Sequence, residues 1–287
     1  MLICGGTIHT MTARGSIVGD IYVKNGRIAA MGEKLEKPDD NCILDARGLT
    51  VIPGLIDAQI QNGPEVNERL LTLDQAAGVT VGLLWPEEEG QCCILTTDEA
   101  KTCSIFVIEP SLYSDARLHD RFLSMAYEGL RPACRIRSRE DCRRVLQVVH
   151  STRVKAILLL LTDCEELSEA IAISACPVII GVCSRTGTPW AMAVRLNELK
   201  VSVSVSCSYP NAKLRHLPLC AALCVREGLP REEALHMVTT APAALLGLER
   251  GGRIEMESRA DFGIYDGDPL LLATNHVMTI SGGKICY

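Results

Sequence analysis

The chain has 287 residues, 47% of them hydrophobic and 22% charged, with a formal net charge of −6. That length supports one large domain or two smaller ones with a substantial core. The acidic balance argues against a general nucleic-acid binder, and the longest apolar run, around Ala156 to Leu161, is far too short to span a membrane.

The first residues, Met1-Leu2-Ile3-Cys4-Gly5-Gly6, run directly into strand-like sequence without the pattern of a secretory leader. A hairpin is predicted next. Ile21 to Lys24 and Arg27 to Ala30 flank Asn25-Gly26, a pair suited to a turn with positive φ at both central positions. A short strand follows over 41–46. The far end repeats the pattern, with strands over 261–265, 276–280 and 284–286. Two β-rich ends around a β/α centre predict one small sheet domain built from both termini.

The centre offers eight strand candidates, at 55–61, 79–85, 92–96, 104–109, 132–137, 154–161, 177–182 and 201–207. Eight strands with mostly helical links fit an α/β fold of the (β/α)8 TIM-like barrel type better than an open doubly wound sheet. No glycine-rich phosphate loop follows any of them. The links between the second, third and fourth candidates are too short for full helices. Farther on, Pro230 opens a helix with Glu232 and Glu233 in its first turn, and Gly247 stops the stretch that starts at Pro242.

Fourteen cysteines without regular spacing read as reduced, mostly buried thiols, which predicts a cytoplasmic protein. Among six histidines no two are spaced as an HxH or HxxxH pair.

The run Val51-Ile52-Pro53-Gly54-Leu55-Ile56-Asp57-Ala58-Gln59-Ile60-Gln61 resembles the first barrel strand of the amidohydrolase superfamily, where "PGLIDAHxH" delivers two histidines to a catalytic metal. Both histidine positions here hold glutamine. Gly5-Gly6-Thr7-Ile8-His9-Thr10, Gly19-Asp20-Ile21 and Asn25 to Gly32 look like the N-terminal sheet of members related to imidazolonepropionase, and Gly78-Val79-Thr80-Val81 like their second strand. The tail carries the most specific likeness: Arg231-Glu232-Glu233-Ala234-Leu235, Thr239-Thr240-Ala241-Pro242-Ala243, Leu246-Gly247-Leu248, and Ala260-Asp261 through Asp266-Gly267-Asp268-Pro269. The resemblance implies that the small domain is a β-sandwich of residues 1–52 and 249–287 around a barrel of 53–248.

It also implies where metal ligands would stand. Strand one gives Gln59 and Gln61. Strand four ends at Glu109-Pro110-Ser111-Leu112-Tyr113 without a lysine. Strand five ends at Arg135-Ile136-Arg137, and strand six near Leu160-Leu161-Thr162-Asp163, both without histidine. The strand-eight aspartate falls on Ser208 and the following histidine on Tyr209. Strand alternation predicts that Asp57, Gln59 and Gln61 share one face. Neutral amides, a serine, a tyrosine and guanidiniums make a poor zinc site, which needs three or four imidazole or deprotonated ligands. No metal or other cofactor is expected.

Each candidate has two readings. Gln59 and Gln61 either contact a ligand or water, or fill the barrel with mutual hydrogen bonds. Arg135 and Arg137 point inward, and an internal salt bridge to Glu109 or Asp57 is favoured over an anion site. Glu87-Glu88-Glu89 reads as a solvated loop, the alternative being one acid contributed to the barrel mouth. His216 before a helix reads as structural rather than as a general base near the pocket, and Cys207 as a buried thiol facing away from the lumen rather than as a nucleophile, which would need a base nearby.

Three functions remain open. One is a homologue that has lost metal-dependent C–N hydrolysis and keeps a ligand-binding, regulatory or scaffold role. Another is hydrolysis of a small cyclic amide or similar C–N substrate by a metal-poor or metal-free mechanism. The third is an ordinary metal-dependent hydrolase. The missing ligands favour the first. Its pocket would comprise Gln59, Gln61, Arg137, Ser208 and Tyr209, and the arginine points to an anionic small molecule. Self-association, or pairing with a related chain, is the other partner expectation.

Overall fold

The structure, a computed structural model, describes residues 1–36, 42–61, 77–96, 100–181, 189–208 and 216–287. Two eight-stranded sheets organise them. Strands β1 (Leu2–His9), β2 (Ser16–Lys24), β3 (Arg27–Gly32), β4 (Ile43–Asp45) and β5 (Thr50–Pro53) come from the N-terminal end. Strands β14 (Phe262–Tyr265), β15 (His276–Ser281) and β16 (Lys284–Ile285) come from the other end. Hydrogen bonds join them as one sheet in the order β16-β15-β14-β5-β1-β2-β3, with β4 beside β1. Both termini therefore build one sheet. Asn25 and Gly26 sit at φ 51° and 73° while Lys24 pairs with Arg27, the two-residue turn the sequence predicts. Ile3, Ile8, Ile21, Ile28, Phe262 and Ile264 form its core.

The chain leaves this sheet through Gly54, whose N–H donates to Asp261 O. A Cβ here would lie 2.3 Å from Thr80 Oγ1, so glycine allows the approach. The second sheet then runs in chain order: β6 (Leu55–Gln61), β7 (Val79–Trp85), β8 (Gly90–Thr96), β9 (Ala100–Ile108), β10 (Arg131–Ile136), β11 (Ile157–Leu160), β12 (Val178–Ile180) and β13 (Val203–Val205). It curls into a nearly closed barrel. Eight strands stand where eight are predicted, but the (β/α)8 pattern needs one correction. Strand β8 is antiparallel to both β7 and β9, whereas the other pairings are parallel. Link length is the cause. Residues 86–89 and 97–99 are far shorter than the dozen or so that a parallel crossover needs.

Helical crossovers return where the links lengthen. Helices α1 (Asp115–Tyr127), α2 (Arg139–Thr152), α3 (Ser168–Ser174) and α4 (Pro189–Glu198) separate β9 through β13. Ser114 and Ser138 cap α1 and α2 by accepting from Arg117 N and Asp141 N. After β13 come α5 (Leu217–Arg226), α6 (Arg231–His236) and α7 (Thr240–Leu246). Helix α6 has Pro230 before it and two acids in its first turn, and α7 stops at Gly247 with φ 68°, both as predicted.

The barrel wall separates two apolar layers. Leu83, Trp85, Ile105, Val107, Ile157, Leu159 and Ile179 fill the lumen. Ile136, Leu158, Leu160 and Val178 pack outward with Leu118, Phe122 and Val145 of the helices. Strand β11 alternates between these layers, which is why it reads as a continuous apolar run.

Candidate functional site

The C-terminal ends of the parallel strands form the barrel mouth, the face on which such barrels place their sites. Its β9–β10 side is built around Glu109. Ile105 and Val107 point into the lumen, so Glu109 follows on the same face. Arg135 follows Ala133 inward on β10. Its side chain is 2% exposed and donates to Glu109 Oε1 at 2.7 Å, to Glu87 O at 3.0 Å and to Pro86 O. The guanidinium also lies 5.9 Å from the centre of the Trp85 ring. Arg137 grips the same carboxylate, with Nε 3.0 Å from Oε2. Burial pushes the Glu109 carboxyl up, but the guanidiniums of Arg137 and Arg135 outweigh it and hold the group below its ordinary value.

The internal salt bridge to Glu109 is thus what the geometry gives, with one correction. The Arg137 side chain is 57% exposed and lies at the rim, while Arg135 alone is enclosed. The triple-glutamate loop is also less passive than a solvated loop. Glu89 accepts from Glu109 N at 2.8 Å and from Tyr113 OH at 2.7 Å, tying the loop after β7 to the end of β9.

The other side is organised by β6. Asp57 pairs with Gly82, yet Ile60 pairs with Leu84, so β6 carries one extra residue there. This breaks the alternation, and the three polar side chains do not share one face. Gln61 stands opposite Trp85 and donates to Pro86 O at 3.1 Å. Asp57 turns into the seam between β6 and the end of β13. It lies 2.5 Å from Ser206 Oγ and 2.7 Å from Cys207 Sγ, and accepts from Gln59 N. Ser206 Oγ is 2.7 Å from Gln59 O and accepts from Ser208 N. Asp57 is fully buried and no cation pairs with it among the described residues. Burial pushes its carboxyl up, opposed by these hydrogen bonds. The Ser206 hydroxyl thus bridges the Asp57 carboxyl and Gln59 O.

Gln59 and Ser208 are brought together across Gly181, which follows β12. A Cβ on Gly181 would lie 1.7 Å from Ser208 Oγ and 3.7 Å from Gln59 Oε1, so glycine makes the room. Gln59 Oε1, Ser204 Oγ and Ser208 Oγ are buried without a hydrogen-bond partner among the described residues. Tyr209 lies outside the described residues. Cys207 is buried, packs with the helix-side layer as its parity predicts, and donates to the Asp57 carboxyl at 2.7 Å. His216 caps α5, its Nδ1 accepting from Leu219 N, and burial lowers its pKa.

Sequence reasoning named Glu109 only as a salt-bridge acid, offered Glu89 only as one of three glutamates that could reach the mouth, and gave Ser206 no role. The position of Glu109 was readable from the parity of Ile105 and Val107. The role of Ser206 was not, because it depends on the extra residue in β6.

Residues 221–287 match the family described as "Amidohydrolase family". A stretch of 85 residues is 39% identical to the amidohydrolase tasK of Hapsidospora irregularis, covering 29% of this chain and 9% of that protein. A stretch of 80 residues is 38% identical to a dihydroorotase of Geobacter sulfurreducens, covering 27% of this chain and 19% of that protein. These matches therefore span less than a fifth of either relative. Among solved structures, an amidohydrolase from Thermotoga maritima superposes with a TM-score of 0.87 at 18% identity, over 100% of this chain and 99% of that one. N-isopropylammelide isopropylaminohydrolase from Burkholderia multivorans gives 0.72 at 15% identity, over 99% and 97%. At such identities the likeness is one of fold. The chain thus shares this fold end to end and carries the amidohydrolase family's sequence pattern across its last quarter.

Proposed function

We propose that this chain has lost metal-dependent C–N hydrolysis and keeps the barrel as a ligand-binding, regulatory or scaffold protein. One observation carries the reading. The enclosed guanidinium of Arg135 stands at the end of strand five, held by Glu109 and two backbone carbonyls. A fixed positive charge in the mouth repels a divalent ion, by a few kcal/mol at ~4 Å and intermediate dielectric. The donors around it do not fit such an ion either. Among the described residues, Gln59 and Gln61 are neutral amides, Ser208 is a hydroxyl, the Glu109 carboxylate is shared by two arginines, and that of Glu89 is taken by Tyr113 and the Glu109 N–H. No hydrolytic step is therefore routed through a metal.

In this reading Gln59 and Ser208 offer unmet oxygens to a ligand donor or a water. Arg137, exposed at the rim, is the mouth's reachable cation for an anionic group. Residues 53–248 serve as the barrel, and 1–52 with 249–287 as a supporting β-sandwich. Buried, unbridged thiols at Cys92, Cys134, Cys142, Cys164, Cys176 and Cys220 suit a reducing, cytoplasmic setting. No helix of the described residues is long and apolar enough to cross a membrane.

Elemental analysis of the purified native protein tests the proposal. We expect no stoichiometric zinc, iron or manganese, and no hydrolysis of cyclic amides after metal is added. About one tightly held metal per chain, with activity lost on chelation, overturns it.

A further inference from the structure

The opposite end of the barrel, where the parallel strands begin, holds a cavity of about 480 Å³. Its floor belongs to the lumen. Ile56 and Val81 are fully enclosed there, with half-buried Ile94, Leu246 and Leu248 against them. Higher in the lumen the packing is complete, and Trp85, Ile157 and Leu159 are at most 1% exposed. The base is open for a reason already given. Strand β8 ends at Thr96 and β9 begins at Ala100, so no crossover helix can pass beneath this side.

The rim is basic. Lys101, Arg250, Arg253 and Arg259 surround the opening, together with the acids Glu249 and Asp261. Asp261 is taken by Arg259 at 3.0 Å, and Arg250 donates to Met256 O. Lys101 and Arg253 have no ion pair among the described residues. Among the described residues the rim's cations thus outnumber its acids, in a chain whose net charge is −6. A half-buried apolar floor beneath these cations suits one class of ligand. Its size falls within the range of small-molecule sites, roughly 300–1,000 Å³.

We propose that this basal cavity binds a small organic anion, its apolar body on Ile94, Leu246 and Leu248 and its carboxylate between Lys101 and Arg253. Burying the body removes apolar surface from water. The guanidinium fork and the ammonium orient the head group. Both cations are exposed, so added salt weakens the head-group contribution and leaves the apolar one.

Decanoate is the probe, titrated calorimetrically into the full chain. Acetate (head without tail) and decyltrimethylammonium (tail with the opposite charge) are the controls. We expect decanoate to bind at a single site per chain, more weakly as salt rises, and neither control to bind. The exposed double variant Lys101→Glu/Arg253→Glu should keep the wild-type melting temperature and lose affinity by about tenfold or more. Leu248→Trp, which fills the floor, should abolish binding. Arg137→Ala, at the mouth, should leave it unchanged. Absence of decanoate binding overturns the proposal. So does equal binding by the double variant, or loss of binding in Arg137→Ala instead. None of these results bears on metal content, so this inference and the proposed loss of hydrolysis fail separately.

Discussion

Two enclosed carboxyls, Glu109 and Asp57, stand on opposite sides of one barrel and are held in opposite ways. Glu109 sits between two guanidiniums and is kept charged. Asp57 sits among a hydroxyl, a thiol and backbone N–H groups, with burial pushing it toward its neutral form. The difference shows that depth alone does not fix the charge of an acid. The partner set does, and it decides whether a site is an electrostatic clamp or a neutral hydrogen-bonded clasp.

The sharpest way to break this comparison is Glu109→Ala. It leaves Arg135 enclosed without its counter-charge, and the expected loss of stability is ~3–5 kcal/mol. Urea denaturation measures it. A loss below about 1 kcal/mol would show that the Pro86 and Glu87 carbonyls satisfy the guanidinium alone.

Asp57→Asn should cost less, about 1 kcal/mol, because an amide brings no charge into a site whose burial already disfavours one, and replaces only part of the hydrogen bonding. A cost equal to that of Glu109→Ala would mean that Asp57 is charged in the fold.

The pH dependence sharpens the contrast, since the two groups have opposite signs. A raised folded pKa means that the fold binds the Asp57 proton more tightly than the unfolded chain does. Its contribution is therefore complete below the ordinary carboxylate pKa and is lost as pH rises through the folded value. Glu109 is depressed, so its contribution is present above the ordinary value and is lost as pH falls through the folded one. Stability measured against pH should lose part of its decline with rising pH in Asp57→Asn and part of its decline with falling pH in Glu109→Gln. Parallel curves for both variants would contradict the assignment.

Arg137→Ala should show the smallest effect, under ~1 kcal/mol, because the side chain is more than half exposed and its ion pair is screened. A larger loss would mean that both arginines are needed to keep Glu109 charged.

The layout of this site was partly legible in the sequence. The β11 run and the lumen-facing order Ile105, Val107, Glu109 could be read by period two, because those strands are regular. So could the inward direction of Arg135. The predicted links 86–91 and 97–103 were already too short for parallel crossovers around β8, yet counting strand candidates alone hid the reversal. Asp57 could not be placed by alternation, because one inserted residue between it and Ile60 shifts the phase of β6. Pairing Gln59 with Ser208 required knowing that Gly181 leaves room between them.

The reversed strand has a consequence for how the barrel assembles. Strands β7, β8 and β9 form a meander whose partners are neighbours in the chain, so their pairing closes only short loops. The seam that completes the circle joins Asp57 to Ser206, 149 residues apart. Loop-closure entropy favours the meander as an early event and the seam as a late one. Substitutions in the meander should slow refolding, whereas Asp57→Asn should chiefly hasten unfolding. The Asp57 clasp would then act as a latch, setting how long the closed barrel lasts and not how fast it forms.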